Sequence, residues 1–127
     1  MAKFIATQDI NQSDYLGYKD KAKSLFQMTE IAYYEEKLLD AVAINGIHCC
    51  ICASDSLIAY YHSKRVTAKD HLLSAEYLGR LELKDTKKYS NTLSDIIRKK
   101  NMAEYTAKQL TEKDADTIFK KVYIHFS

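Results

Sequence analysis

Arg65 and His71 enclose five residues in the stretch KRVTAKDH, positions 64–71. An imidazole changes charge near neutral pH and so can take or give a proton. A guanidinium is a fixed planar charge that matches phosphoryl oxygens. Cleavage of an RNA phosphodiester without a metal needs these two groups. One moves the proton of the 2′-hydroxyl or of the leaving oxygen, and the other holds the oxygens as charge builds. Asp55, on the helix before, is a carboxylate that can orient either of them. Lys64, Lys69 and His62 flank the pair as candidate phosphate or RNA contacts. Lys100, in RKK at 98–100, is a further candidate; the same cluster also suits the negative end of a helix dipole.

Two helices must position these groups. The Thr67-x-x-Asp70 spacing reads as a capping box that opens a helix at Thr67. Arg65 then lies in the preceding turn and His71 on the first helical turn, both within reach of an N-terminus that favours anions. The box also accounts for Thr67 and Asp70 with no chemistry at all. The helix before it spans about Asp40 to His62. Asn45, His48, Cys52, Asp55 and His62 fall on one of its faces and point toward the 64–71 turn. A second face is small: Val42, Gly46, Cys49 or Cys50, Ala53 and Leu57. Small residues let helix axes approach, so this helix is expected at the centre of a bundle.

The rest of the chain fits such a bundle. It has 127 residues, no proline and three glycines. Its apolar residues recur at spacings of three and four, which predicts an all-α fold, a four- to five-helix up-down bundle. The other helices are expected over Ser13–Glu36 with Ser13 as N-cap, from Thr67 to a C-capping Gly79, over Asn91–Ala103, and from a second capping box at Thr111. That last helix turns Ala115, Ile118, Phe119, Val122 and Phe126 inward. The chain reads as one domain over 1–127, with 1–12 as an N-terminal extension.

Composition narrows the classes. Cys49, Cys50 and Cys52 suit neither a disulfide framework nor a zinc finger, and small buried thiols in a reducing compartment is the expectation. His48 and Cys52 supply two ligands to a metal where a site needs more, so neither a metal nor a cofactor is expected. No uninterrupted apolar run reaches the roughly 20 residues of a membrane span, and the start MAKFIATQDINQSDY lacks the features of a signal peptide. A cytoplasmic protein with no membrane partner is expected. Residues 1–63 carry five basic and eight acidic side chains; residues 64–127 carry fourteen and nine. The second half is mildly suited to a polyanion, and equally to a solvated, charge-mixed helical surface. Ten tyrosines, among them those of AYYEE and IAYYHS, are base-stacking candidates or bundle core with polar tips.

The element order and several stretches resemble the HEPN superfamily (higher eukaryote and prokaryote nucleotide-binding). These stretches are YKDKAKSLFQMTEIAYYEEKLLDAVAINGIHCCICASDSLIAYYHSKRVTAKDH, LLSAEYLGRL and KKNMAEY, over roughly residues 14–126. The family motif places four to six residues between an arginine and a histidine, and Arg65 and His71 match it. The resemblance implies a helical bundle that forms a homodimer and a metal-independent endoribonuclease site whose Arg and His meet across the dimer interface. It implies RNA or a nucleotide as ligand, and in toxin–antitoxin settings a nucleotidyltransferase-type antitoxin as partner. Members that have lost catalysis bind a nucleotide, RNA or a protein partner. Val66 and Leu73 stand where nuclease members often carry a polar residue and the toxin subgroup an aromatic, so no subgroup is assigned.

Overall fold

The protein is an all-α helical bundle with one small two-stranded ribbon. The computed structural model describes residues 4–105 and 110–126; the side chains of residues 36, 102–105 and 124–126 lie outside that description, Phe126 among them. The elements are β1 (Thr7–Asp9), α1 (Tyr15–Ile31), α2 (Leu39–His62), β2 (Lys64–Val66), α3 (His71–Gly79), α4 (Thr86–Tyr105) and α5 (Glu112–Phe126).

Helix α2 is the centre. Val42, Ala43, Gly46, Ile47, Cys49, Cys50, Ile51, Ser54, Ile58 and Ala59 are all buried, which is most of its circumference. Helix α1 runs antiparallel along it. Ser56 Oγ donates to the Tyr15 carbonyl (2.9 Å), Cys49 Sγ donates to the Ala22 carbonyl (3.2 Å), and a Cβ built on Gly46 would lie 3.5 Å from the Thr29 methyl. Leu93, Ile96 and Ile97 of α4, Ala75 of α3 and Ile118 and Val122 of α5 complete the main core. With 24 residues and few charges, α2 is long and apolar enough to cross a membrane, although no uninterrupted apolar run announces it. Here just over half of that apolar stretch is buried in the bundle, while Ile44, Leu57, Tyr60 and Tyr61 stay exposed.

Several helix ends differ from the sequence expectation. Residues Gln12–Asp14 form a 3₁₀ turn that leads into α1, so Ser13 is not its N-cap. Gln12 Nε2 donates to the Tyr60 carbonyl at 2.8 Å and ties this start to α2. The far end of α1 widens into a π-helical turn over Ala32–Glu36, closed by Lys37 at φ +52°. Asp40 lies in the first turn of α2, and the capping position belongs to Leu38. Helix α4 begins five residues before the expected Asn91, at Thr86, where Thr86 Oγ1 donates to the Leu83 carbonyl (2.9 Å). Gly79 is not a left-handed cap. It keeps α3 close to α4, because a Cβ there would meet Ser90 Oγ at 3.1 Å. The box at Thr111 is present: Asp114 N–H donates to Thr111 Oγ1 (3.1 Å) and Thr111 N–H to Asp114 Oδ2 (3.2 Å).

The largest departure lies in the stretch between α2 and α3. Lys64–Val66 is a strand paired antiparallel with Thr7–Asp9, and Thr67 N–H donates to the Ala6 carbonyl at 3.0 Å. Thr67 therefore caps no helix. Asp70 does, its Oδ1 accepting Leu72 N–H at 3.0 Å, and His71 becomes the first helical residue. The stretch expected as an N-terminal extension supplies β1, and Ile5 joins Val66, Ile58, Leu78 and Leu81 in a second small core.

The closest approach in the bundle sets a prediction. A Cβ on Gly46 would lie 2.9 Å from Val122 Cγ2. Helix propensity favours alanine by about 1 kcal/mol, whereas overpacking a tight core costs about 1–3 kcal/mol. Gly46→Ala is therefore expected to destabilise by about 1 kcal/mol in denaturant melts. In the Val122→Ala background the same change is expected to be neutral or stabilising. A stabilised single variant would contradict the packing.

Candidate functional site

Arg65 owes its place to the ribbon. Successive residues of a strand face opposite sides. Val66 is buried against Ile58 and Leu78, so Arg65 is turned outward, and it is exposed. Val66, where a polar residue would fit the family pattern, is thus core. Lys64 shares the Val66 side and forms an ion pair with Asp9 at 2.6 Å, away from Arg65.

The arginine lies against the polar face of α2. Asp55 is half-buried there, and burial pushes its carboxyl up to about 6 even though the nearby Arg65 charge pulls it down. Tyr18 of α1 joins them. Burial raises its phenol, Arg65 opposes that rise, and Asp55 adds to it. Cys52, one turn back from Asp55, is raised by burial and by Asp55, with Lys21 of α1 opposing. Burial pushes Cys49 to about 12 and holds Cys50 well above the ordinary thiol range. Burial therefore favours the protonated thiol at all three positions.

His71 sits one step further along the same face. Its ring stands 6.0 Å from that of His48 (centroid to centroid), nearly perpendicular to it. His48 is exposed and His71 half-buried. Two facing imidazoles offer one acceptor and one donor of a proton. His48 stood on the polar stripe in the sequence, four residues before Cys52, but only the structure pairs it with His71.

The structure thus sets Arg65 beside Asp55 and His71 beside His48, with both pairs on one face of α2. The helical neighbours of the two, residues 55 and 48, lie about 10 Å apart along the axis at 1.5 Å per residue. Arg65 stands in β2 and His71 opens α3, with four residues between strand and helix. The anion position at the start of α3 is filled by the Asp70 carboxylate.

The remaining candidates disperse. His62 Nδ1 is engaged with the Tyr77 hydroxyl at 2.8 Å. Lys69 is exposed in the loop before α3. Lys100 lies on α4, half-buried in line with Leu93, Ile96 and Ile97. Among the described residues no group of three or more His, Cys, Asp or Glu side chains is arranged to hold a metal ion. No family model, curated protein or solved structure matches the chain.

Asp55 gives this face a pH signature. Its carboxyl holds a proton more tightly when folded than when unfolded, where 3.8 is the ordinary value. That contribution is whole below pH about 4 and is lost as pH rises through about 6. Asp55→Asn removes the loss. The variant is expected to have a higher Tm than the wild type above pH about 6 and an equal one below about 4. Thermal melts across that range test this, and a gain independent of pH would contradict it.

Proposed function

We propose that the protein is a HEPN-like, RNA-binding endoribonuclease that needs no metal ion and works as a homodimer. The observation that carries this reading is the shared α2 face, on which His71 lies beside His48 and Arg65 beside Asp55. One imidazole accepts the 2′-hydroxyl proton as the 2′ oxygen forms a bond to phosphorus. The bond from phosphorus to the 5′ oxygen breaks, and the other imidazole gives that oxygen its proton. Arg65 holds the phosphoryl oxygens while charge builds on them. Asp55 orients the guanidinium.

The homodimer is part of the same proposal, carried by the resemblance of the Arg65-to-His71 motif to HEPN proteins. A second copy related by a two-fold axis can set the Arg65 of one chain by the His71 of the other, twice over. A nucleotidyltransferase-type antitoxin is the partner this reading implies. A second reading is favoured by the carboxylates. Asp55 beside Arg65 and Asp70 at the start of α3 set negative charge at both ends of the face. That disfavours a phosphate backbone and suits a non-catalytic module that holds a protein partner.

Cleavage of total RNA in the presence of EDTA separates the two. The wild type is expected to cut and leave 2′,3′-cyclic phosphate ends, with His71→Ala and Arg65→Ala each slower by about 100-fold or more. His71→Ala is expected to keep RNA affinity within about twofold, since it removes proton transfer and not the clamp. Neither cutting nor binding of RNA by the wild type would favour the second reading. Equal cleavage by all three proteins would defeat the first.

A further inference from the structure

The opposite flank of the α1–α2 seam holds a second feature, independent of the Arg65–His71 face. Tyr18 and Lys21 of α1 border the polar face, whereas Lys19 and Lys23 border a cavity of about 500 Å³ between α1, α2, α3 and α4. This volume lies within the range of small-molecule sites. Its floor is aliphatic, with Ala53 and Leu78, and its walls are the rings of Tyr15, Tyr60, Tyr61 and Tyr89.

Three observations describe what fits. Tyr15 and Tyr60 meet edge to face with centroids 4.9 Å apart, and Tyr60 and Tyr61 do the same at 4.9 Å. Rings at near right angles form walls, so a flat guest can lie on one face and meet the edge of the next. Tyr60 and Tyr61 are 44% and 51% exposed, an aromatic surface that a core function does not explain. The lining carries two ammonium groups and no carboxylate, so its charge selects an anion. The backbone that carries two of the rings is tied down: the Tyr15 carbonyl accepts from Ser56 Oγ at 2.9 Å and the Tyr60 carbonyl from Gln12 Nε2 at 2.8 Å.

We infer that this cavity binds a small planar aromatic molecule with one anionic group, its ring against the tyrosines and its anion at Lys19 and Lys23. An aromatic carboxylate and a nucleoside monophosphate both have that chemistry. Calorimetric titration of the full chain with indole-3-acetate and with 5′-AMP separates these sources, with indole, adenosine and inorganic phosphate as partial ligands. At least one of the two anions is expected to bind about tenfold or more tightly than its own neutral ring and than phosphate alone. The tighter of the two names the class. Lys19→Ala with Lys23→Ala is expected to weaken it by about tenfold, and Tyr60→Ala by about fivefold or more. Both lysines and Tyr60 are exposed, and thermal melts show whether each variant folds. Tyr61→Phe, which keeps the wall, is expected to bind as the wild type does. Arg65→Ala is expected to leave the affinity unchanged, which separates this site from the RNA face. No saturable binding of either anion at millimolar concentration would overturn the inference. So would binding that survives both the lysine and the Tyr60 changes, or that disappears in Arg65→Ala.

Discussion

A missing side chain governs how this bundle closes. At Gly46 a methyl group would lie 2.9 Å from Val122 of α5 and 3.5 Å from Thr29 of α1, so α2 is held between two helices at the limit of contact. Ala43, Cys49, Cys50 and Ser54 extend the same economy of volume along α2. Helices this close bury most of the circumference of the central one. Only narrow strips of α2 remain outside, and any chemistry that α2 carries must occur there. His48, Cys52 and Asp55 form one strip, on one side of the α1 seam. Leu57, Tyr60 and Tyr61 form the other. The two candidate sites of this protein are therefore consequences of one packing constraint.

A second constraint places the arginine. In a loop, Arg65 would sample many directions and hold a phosphate at a large entropic cost. In β2 its direction is set by Val66, whose burial with Ile5, Ile58 and Leu78 turns the neighbouring residue outward. The ribbon thus couples the N-terminal segment to the site. Ile5 and the Ala6 carbonyl hold the strand, and the strand holds the guanidinium.

The sequence made the helices legible because they obey local rules. The 3.6-residue pattern revealed α2 and its small face, and the reciprocal Thr111–Asp114 box marks the start of α5 as written. The failures share a physical origin in contacts between distant residues. Thr67 looks like a cap, but its N–H is taken by Ala6, sixty-one positions earlier, and no local pattern announces that pairing. Three-residue strands such as TQD and KRV are too short to show an alternation. Helix α3 does stop at Gly79, but not through a left-handed cap: Ser90 on the next helix leaves little room for a side chain there. His48 was visible on the right face of α2. Its pairing with His71 depends on where α3 starts, which the ribbon decides. The Tyr60–Tyr61 cavity was legible only as an excess of tyrosine, because its lining comes from four helices.

The charges on the α2 face act against one another, and this shapes what the face can hold. Arg65 and Asp55 act on one another electrostatically across this face. When Asp55 is ionised, the pair offers an incoming phosphate little net attraction. When it is protonated, the guanidinium acts alone. Burial already pushes the Asp55 carboxyl up to about 6, so the cost of that protonation at neutral pH is small. A phosphate arriving at Arg65 adds a negative charge beside the same carboxyl and raises it further. Asp70 is engaged differently: it caps α3 by accepting Leu72 N–H, so its side chain occupies the start of that helix. Of the two carboxylates beside the candidate site, Asp70 is committed to the helix N-terminus, while Asp55 shares the α2 face with the arginine and responds to its charge.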